Sequence, residues 1–295
     1  MVARNRNGIH NRPLIALILG GISIGCSPIF VRLSLVGPVT TAFWRLSLAL
    51  IPLLALFRFR TEGIESQKQP RLASEYMLAA LPGVFLAGDL AVWHVSLHMT
   101  SVANATLLAN MAPIFVTFGS WLVFRQPVKR VFLAGLGLSV GGVLLLKGGV
   151  SAMGDGHILG DMLALSASVF YAGYIMLVGW TRKRFQSSAI MLCSTISAAA
   201  CTLPIARSFE KDFFPATLMG WAILCGLAWI SQAAGQSLIT YALGWLPAPF
   251  SSLTLLIQPV IAAVLAWVLL GEALGASQIA GGLIVIAGIG LARRG

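Results

Sequence analysis

Several polar side chains that could bind or move a small molecule occur within long apolar stretches of this sequence. Asp89 lies near the middle of one stretch, Trp93 follows it by four residues and so shares its helical face, and His94 is the next residue. A carboxylate beside an aromatic ring can bind an ammonium group or take up a proton. The alternative is a structural role, with Asp89 paired to Arg45 and His94 hydrogen-bonded within the fold.

A basic side chain and two phenols extend the set of candidates. Arg45 lies about six residues into its predicted span, or roughly 9 Å deep at ~1.5 Å per residue. There it can bind a substrate carboxylate, reach back to the membrane surface or pair with an acid. Tyr171 and Tyr174 are three residues apart, so they share one helical face. They can line a binding site or bond one helix to another.

Two amides form a further pair. Gln232 and Gln236 are four residues apart on one face of a predicted helix, and Trp229, one turn earlier, is predicted to extend that face. Such amides can bind a zwitterion, or they can link neighbouring helices at about 0.6 kcal/mol per contact. We expect the pair to line a cavity, because two large amides on one face exceed what packing needs. The predicted substrate-binding residues are Arg45, Asp89, Trp93, His94, Tyr171, Tyr174, Trp229, Gln232 and Gln236.

No combination of residues typical of catalysis or metal binding accompanies these candidates. An intramembrane enzyme would need a Ser/His pair, two aspartates or an H-E-x-x-H motif on facing helices, whereas Asp89 is the one acid near the middle of a predicted span. The four cysteines lie in apolar stretches without C-x-x-C spacing, so we expect neither a disulfide nor a metal site. We therefore predict that the protein is not an enzyme and needs no cofactor or metal.

The elements that carry these residues follow from an unusual composition. Of the 295 residues, 58% are hydrophobic and 10% are charged, with a mean hydropathy of +0.88, whereas soluble domains carry about 25% charged residues. The net charge of +11 does not indicate a nucleic-acid partner, because the basic residues are spread between the apolar stretches. The composition excludes a soluble enzyme and predicts a protein whose solvent is the lipid bilayer.

A membrane-spanning helix needs about 20 mostly apolar residues, and ten stretches meet this requirement. They account for nearly the whole chain and leave no room for a soluble domain. The predicted fold class is an all-α membrane protein with ten transmembrane helices, at residues 13–33, 39–57, 76–97, 102–123, 131–148, 158–180, 187–206, 217–240, 246–269 and 275–292.

The distribution of lysine and arginine predicts the orientation of these spans, because short loops rich in both residues stay in the cytoplasm. With the N-terminus inside, fifteen of the 20 basic residues fall on the cytoplasmic side and four on the outer side. We therefore expect a multi-pass protein of the bacterial inner (cytoplasmic) membrane with both termini in the cytoplasm. The first stretch is interpreted as a retained helix rather than a signal peptide, because it has a counterpart in the second half.

The chain repeats itself internally. An offset of 146 residues aligns Pro113 with Pro259 and Gly142 with Gly288, and an offset of 148 lays the first span over the sixth. The repeat unit holds five spans, an odd number, so the two copies insert in opposite orientations around a central cavity, as in many secondary transporters. The expected organisation is a cytoplasmic tail of residues 1–12, a five-helix repeat of residues 13–148, an outer linker of residues 149–157 and a second five-helix repeat of residues 158–292.

The second half carries a recognisable series of motifs. It comprises Gly160-Asp161 at the start of the sixth span, Gln258-Pro259, Leu270-Gly271-Glu272 and Gln278-Ile279-Ala280-Gly281-Gly282. With Arg45 early in the second span, the whole chain resembles the EamA-type carriers of the drug/metabolite transporter superfamily, and most of all bacterial amino-acid exporters of the YddG type. In the first half, Phe124-Arg125-Gln126-Pro127 stands where the family commonly has a Gly-Glu-Pro turn. The resemblance implies ten helices around a central cavity and the export of small metabolites.

The residues and the resemblance together favour a secondary transporter that exports amino acids, including aromatic ones, by alternating access. An alternative is efflux of cationic drugs, with Asp89 as the anchor. A sugar-phosphate or nucleotide-sugar antiporter is less favoured, because it would need paired basic residues in the cavity. The expected partners are a small-molecule substrate and the lipid bilayer. Glycine-rich fifth and tenth spans indicate close helix contacts, either within the scaffold or in a homodimer.

Overall fold

The computed structural model describes residues 11–59, 67–97, 99–100, 102–125, 127–148, 158–210 and 212–294. Within these residues the regular structure is helical, apart from one isolated bridge between Lys68 and Phe185. The helices are α1 (Asn11–Gly25), α2 (Ser27–Leu33), α3 (Pro38–Phe59), α4 (Ala73–Leu97), α5 (Val102–Ala109), α6 (Ala112–Phe124), α7 (Arg130–Leu146), α8 (Ile158–Thr181), α9 (Ser187–Phe209), α10 (Leu218–Gly226), a π-helix (Leu227–Gly235), α11 (Gln236–Leu243), α12 (Ala248–Thr254), α13 (Ile257–Leu270) and α14 (Ala276–Ala292).

Eight apolar segments in the described part of the chain are long enough to cross a bilayer. They are 21 to 26 residues long. Four fall within the single helices α3, α4, α8 and α9, and the other four join consecutive shorter helices. Two further apolar helices, α7 and α14, have 17 residues each, which corresponds to about 25 Å. The prediction of an all-helical protein built from membrane-spanning segments is confirmed.

Proline accounts for three of the interruptions between consecutive helices. Pro28, Pro113 and Pro259 lie in the first turns of α2, α6 and α13. Proline has no amide hydrogen and suits a first turn, where no bond to a preceding turn is needed. Each of these prolines therefore begins a new helix in the middle of a predicted span. The prolines that lie inside continuous helices are Pro52, Pro82 and Pro204.

Helices α7 and α14 pack against each other through glycine. A Cβ atom added to Gly142 would lie 2.7 Å from the Val285 backbone nitrogen, and one added to Gly281 would lie 2.4 Å from that of Leu146. Such distances leave no space for a side chain, so only glycine permits this close approach. The glycine-rich spans therefore contact each other within one chain, as the scaffold interpretation predicts.

The helices of the two halves interleave around the centre of the molecule. α1 packs against the π-helix, α11 and α13, while α4 packs against α8 and α9, and α3 packs against α9 and the π-helix. Large apolar side chains such as Met77 and Leu218 are exposed on the outside, as expected where lipid covers the surface. The polar residues predicted to bind substrate lie mostly in the space left between α1, α3, α4, α8 and the π-helix.

Candidate functional site

A cavity of about 230 Å³ occupies the centre of the helix bundle. Helices of both halves contribute to its wall, and the polar part of that wall comes from residues within apolar spans. Six of the nine sequence-predicted binding residues line it. The lining residues are Ile24, Arg45, Leu46, Leu86, Asp89, Leu90, Trp93, Thr106, Ala109, Asn110, Tyr171, Gln232, Gln236 and Gln258.

Asp89 and Arg45 bring opposite charges to this cavity from neighbouring helices. The Nε of Arg45 donates a hydrogen bond to the Oε1 of Gln232 at 3.2 Å. The carboxylate of Asp89 makes no hydrogen bond or ion pair with any residue that the structure describes, although it interacts electrostatically with Arg45. A membrane-embedded carboxylate without a bonded partner is costly, so a ligand cation or a proton would compensate it.

The amides of the cavity leave polar atoms unused. Gln236 is 2% exposed, and among the described residues its Oε1 has no hydrogen-bond partner. Gln258 also lines the cavity, and its Nε2 has no hydrogen-bond partner in the described part of the chain. Buried polar atoms normally have partners. These atoms therefore offer one acceptor and one donor to a molecule in the cavity.

The π-helix explains why Gln232 and Gln236 line the cavity as predicted, whereas Trp229 does not. Gln232 lies within it and Gln236 follows it directly, and both line the cavity. Trp229 does not, since it is 49% exposed and its Nε1 donates to the Leu48 carbonyl at 3.3 Å. A π-helix winds more residues into each turn than the 3.6 of an α-helix. A residue three positions before Gln232 is therefore rotated away from it, and Trp229 is removed from the candidate site.

The two remaining residues of the predicted set are Tyr174 and His94. Tyr174 is 1% exposed and stacks on Tyr171 with ring centroids 5.9 Å apart. It therefore supports the cavity wall from behind instead of facing the cavity. His94 belongs to α4, but its side chain lies outside the described residues.

Asn110 and Gln258 line the cavity although they are absent from the predicted set. Both lie at helix interruptions: Asn110 directly follows α5, three residues before Pro113, and Gln258 lies in the first turn of α13, directly before Pro259. The signal in the sequence was a polar residue one to three positions before a proline within a span, because interrupted helices in membranes occur where the backbone lines a cavity. The amide of Asn110 donates to the Thr106 carbonyl at 2.7 Å. Of the two asparagines in this region, Asn104 instead bonds to Asp161 at 3.3 Å.

A wider cavity of about 640 Å³ continues from the central one, with Arg45 and Trp93 in both walls. It reaches the end of the bundle where α2, α7 and α13 finish, and there Arg32 and Glu272 form an exposed ion pair. Near the opposite end, the Nε of the fully buried Arg182 donates to the Thr240 carbonyl at 3.0 Å and ties the α8–α9 turn to α11. The central cavity therefore opens toward the Arg32–Glu272 end.

Metal ligands are scarce in the part of the chain that the structure describes. No group of three or more His, Cys, Asp or Glu residues that could hold a metal ion occurs there. The cysteines are free thiols, and only two of them share a helix, α9: Cys26, Cys193, Cys201 and Cys225. The polar groups of the site are those that bind organic ammonium, carboxylate and hydroxyl groups.

The chain is similar to known membrane transporters over almost its whole length. The model of the EamA-like transporter family matches twice, at residues 11–147 and 158–294. The pseudopaline exporter CntI of Pseudomonas aeruginosa is 28% identical over 85% of this chain and 84% of its own, and the threonine/homoserine exporter RhtA of Salmonella typhimurium is 28% identical over 90% and 86%. An uncharacterized transporter of Archaeoglobus fulgidus is 25% identical over 95% of both chains. A solved crystal structure matches the fold with a TM-score of 0.79 at 15% identity, over 96% of this chain and 97% of that one.

Proposed function

Because the chain belongs to the EamA-like transporter family, we propose that it is a secondary transporter that exports small zwitterionic metabolites, with amino acids as the principal class. The observation that carries the proposal is the central cavity, where the carboxyl group of Asp89 and the guanidinium of Arg45 line the same space. A zwitterion has the complementary pair of charges. Its binding would compensate a carboxylate that has no bonded partner among the described residues.

The geometry suggests how an amino acid is held. The substrate ammonium binds the carboxylate of Asp89 and the free Oε1 of Gln236, and the ring of Trp93 borders the same space. The substrate carboxylate binds the guanidinium of Arg45 and the free Nε2 of Gln258. The similarity to the threonine/homoserine exporter RhtA supports this substrate class, because threonine and homoserine carry one amino and one carboxyl group. The similarity to the pseudopaline exporter CntI supports the export of a small metabolite.

In this proposal the chain has ten membrane spans, arranged as two five-helix repeats of opposite orientation. Transport occurs when one repeat rocks against the other around the cavity. The bounds of the helices support the repeat, since α14 begins 146 residues after α7 begins and ends 146 residues after α7 ends. Arg125 after α6 and Gly271 after α13 are also 146 residues apart, and both adopt left-handed backbone conformations, with φ of 51° and 70°. With both termini in the cytoplasm of a bacterial inner membrane, the open end of the cavity faces outward. The structure then corresponds to the state that releases an exported substrate.

The test is flux of radiolabelled amino acids in proteoliposomes that contain the purified chain, with and without a pH gradient. We expect saturable flux of at least one amino acid that protein-free liposomes lack. Dependence on the pH gradient would identify coupling to protons. If the folded protein carries no amino acid in the panel, the substrate assignment is wrong.

Efflux of cationic drugs is the second candidate. Asp89 lines the cavity with Trp93 and has no bonded partner among the described residues, so it would also suit an organic cation. Arg45 lines the same cavity and repels a cation, whereas a zwitterion benefits from it. A sugar-phosphate substrate is disfavoured, because Arg45 is the one basic residue among those that line the central cavity. Inhibition of amino-acid flux by amines, compared with inhibition by other amino acids, separates the first two functions.

A further inference from the structure

A second cavity, separate from the central one, lies at the opposite end of the bundle from the Arg32–Glu272 pair. It has a volume of about 390 Å³ and forms where the α6–α7 connection, the α11–α12 connection and the end of α14 meet. It shares no lining residue with the central cavity. Its wall is largely apolar, with Val128, Phe132, Leu246 and Phe250 among its lining residues.

Two cations lie in the wall of this apolar cavity. Lys129 and Arg293 both line it and both are exposed. No acidic residue belongs to its lining, and Arg130 and Arg294 follow the two cations in the sequence. The cavity therefore combines an apolar interior with two cations in a lining that contains no acidic residue.

The surroundings of the cavity belong to the surface that lipid covers. Val131 and Leu133 on α7 are 41% and 49% exposed, and Trp245 beside Leu246 is 50% exposed. Tryptophan and basic residues at the ends of spans are typical of the membrane–water interface. Basic pockets between transmembrane helices on the cytoplasmic side bind anionic lipid headgroups.

We propose that this cavity binds one anionic phospholipid. Its phosphate lies between Lys129 and Arg293, and part of an acyl chain packs against Phe132 and Phe250. The bound lipid contacts segments of both halves of the chain, namely the start of α7 and the start of α12. The site is independent of the substrate and of the direction of transport.

The experiment is native mass spectrometry of the full-length chain in detergent, with phosphatidylglycerol or phosphatidylcholine of identical acyl chains. We expect phosphatidylglycerol to be retained at higher occupancy. Each basic residue near an anionic headgroup contributes about 1 kcal/mol, or roughly fivefold in affinity. The double variant Lys129→Gln/Arg293→Gln should therefore bind phosphatidylglycerol about 25-fold more weakly.

The matched control is Arg58→Gln/Arg71→Gln, which removes two exposed cations near the end of α3 and the start of α4. It should bind phosphatidylglycerol as the unmodified chain does. Val128→Trp fills the cavity without altering its charge, and it should lower the retention of both lipids. This variant tests the site even if the double variant fails to fold.

Three results would overturn the proposal. The first is equal retention of the two lipids by the unmodified chain, which would show that the headgroup charge is not recognised. The second is an equal loss of phosphatidylglycerol in the control variant, which would indicate general attraction by positive charge. The third is displacement of the lipid by glycerol 3-phosphate at a similar concentration, which would identify a site for a soluble phosphate.

Discussion

At the scale of single residues, the proposed site depends on an acidic and a basic side chain that do not bond to each other. Arg45 is held by Gln232 at 3.2 Å, while Asp89 makes no bond with a described residue. This arrangement keeps the two charges available to the two ends of a zwitterion. A direct ion pair would instead have satisfied both groups within the protein and left little affinity for a substrate.

Removal of either charge should impair transport without preventing folding. A hydrogen bond to a charged group contributes about 1.5–3 kcal/mol, so Asp89→Asn and Arg45→Gln should each lower amino-acid flux by about 10- to 100-fold at limiting substrate. Proteoliposome flux measures the effect. Asp212→Asn, a change at an exposed acid outside the cavity lining, is the control. Normal flux in both cavity variants would remove these residues from the site.

The two tryptophans predicted from the sequence should now behave differently. Trp93 lines the cavity, whereas Trp229 is exposed outside it. Trp93→Ala should reduce flux by about 5- to 20-fold, as expected for the loss of a cation–π and stacking surface, and Trp229→Ala should leave flux nearly unchanged. The two variants are matched in the side chain removed. Equal losses would contradict the placement of Trp229 outside the site.

At the scale of elements, the positions of the spans could be predicted from hydropathy but their interruptions could not. Runs of about 20 apolar residues locate spans whatever their internal geometry. The placement of Gln232 and Trp229 depends on a π-helix, and hydrophobic periodicity assumes 3.6 residues per turn throughout. Asn110 and Gln258 were missed for a related reason, since their exposure to the cavity follows from helix breaks that proline permits but does not require.

The contact between α7 and α14 makes a sharp prediction about two adjacent glycines. A Cβ on Gly142 would lie 2.7 Å from the Val285 backbone, whereas one on Gly141 would meet nothing within 4 Å. Gly142→Ala should therefore destabilise the protein by about 1–3 kcal/mol through overpacking. Gly141→Ala should be neutral or stabilising by up to about 1 kcal/mol, because alanine favours helix. Thermal unfolding in detergent compares them, and equal midpoints would contradict the packing described.

At the scale of the whole molecule, the family predicted from the motifs of the second half is confirmed by matches to both halves. The motifs that support the resemblance also have structural roles. Asp161 accepts a hydrogen bond from Thr100 at 2.6 Å and links α8 to the start of α5. Glu272 pairs with Arg32 at the open end of the wider cavity. The glycine-rich helices α7 and α14 contact each other within one chain, so they do not support a homodimer, which stays a prediction.

The proposed orientation predicts which positions are reached from outside the cell. In a background with the four native cysteines replaced, Ala109→Cys in the central cavity should react with a membrane-impermeant maleimide added to intact cells. An excess of amino-acid substrate should slow the reaction. Arg184→Cys, in the α8–α9 turn, should react only after the cells are permeabilised. The reverse pattern of labelling would contradict the proposed orientation of the chain in the membrane.

The most direct test of the central claim is equilibrium binding of three related ligands to the purified chain, measured by isothermal titration calorimetry. The ligands are an amino acid that the protein transports, its methyl ester, which lacks the carboxylate, and its N-acetyl derivative, which lacks the ammonium. If Arg45 and Asp89 each bind one end of a zwitterion, the amino acid should bind at least about tenfold more tightly than either derivative. Equal or tighter binding of the methyl ester would contradict the zwitterion site and identify a carrier of organic cations.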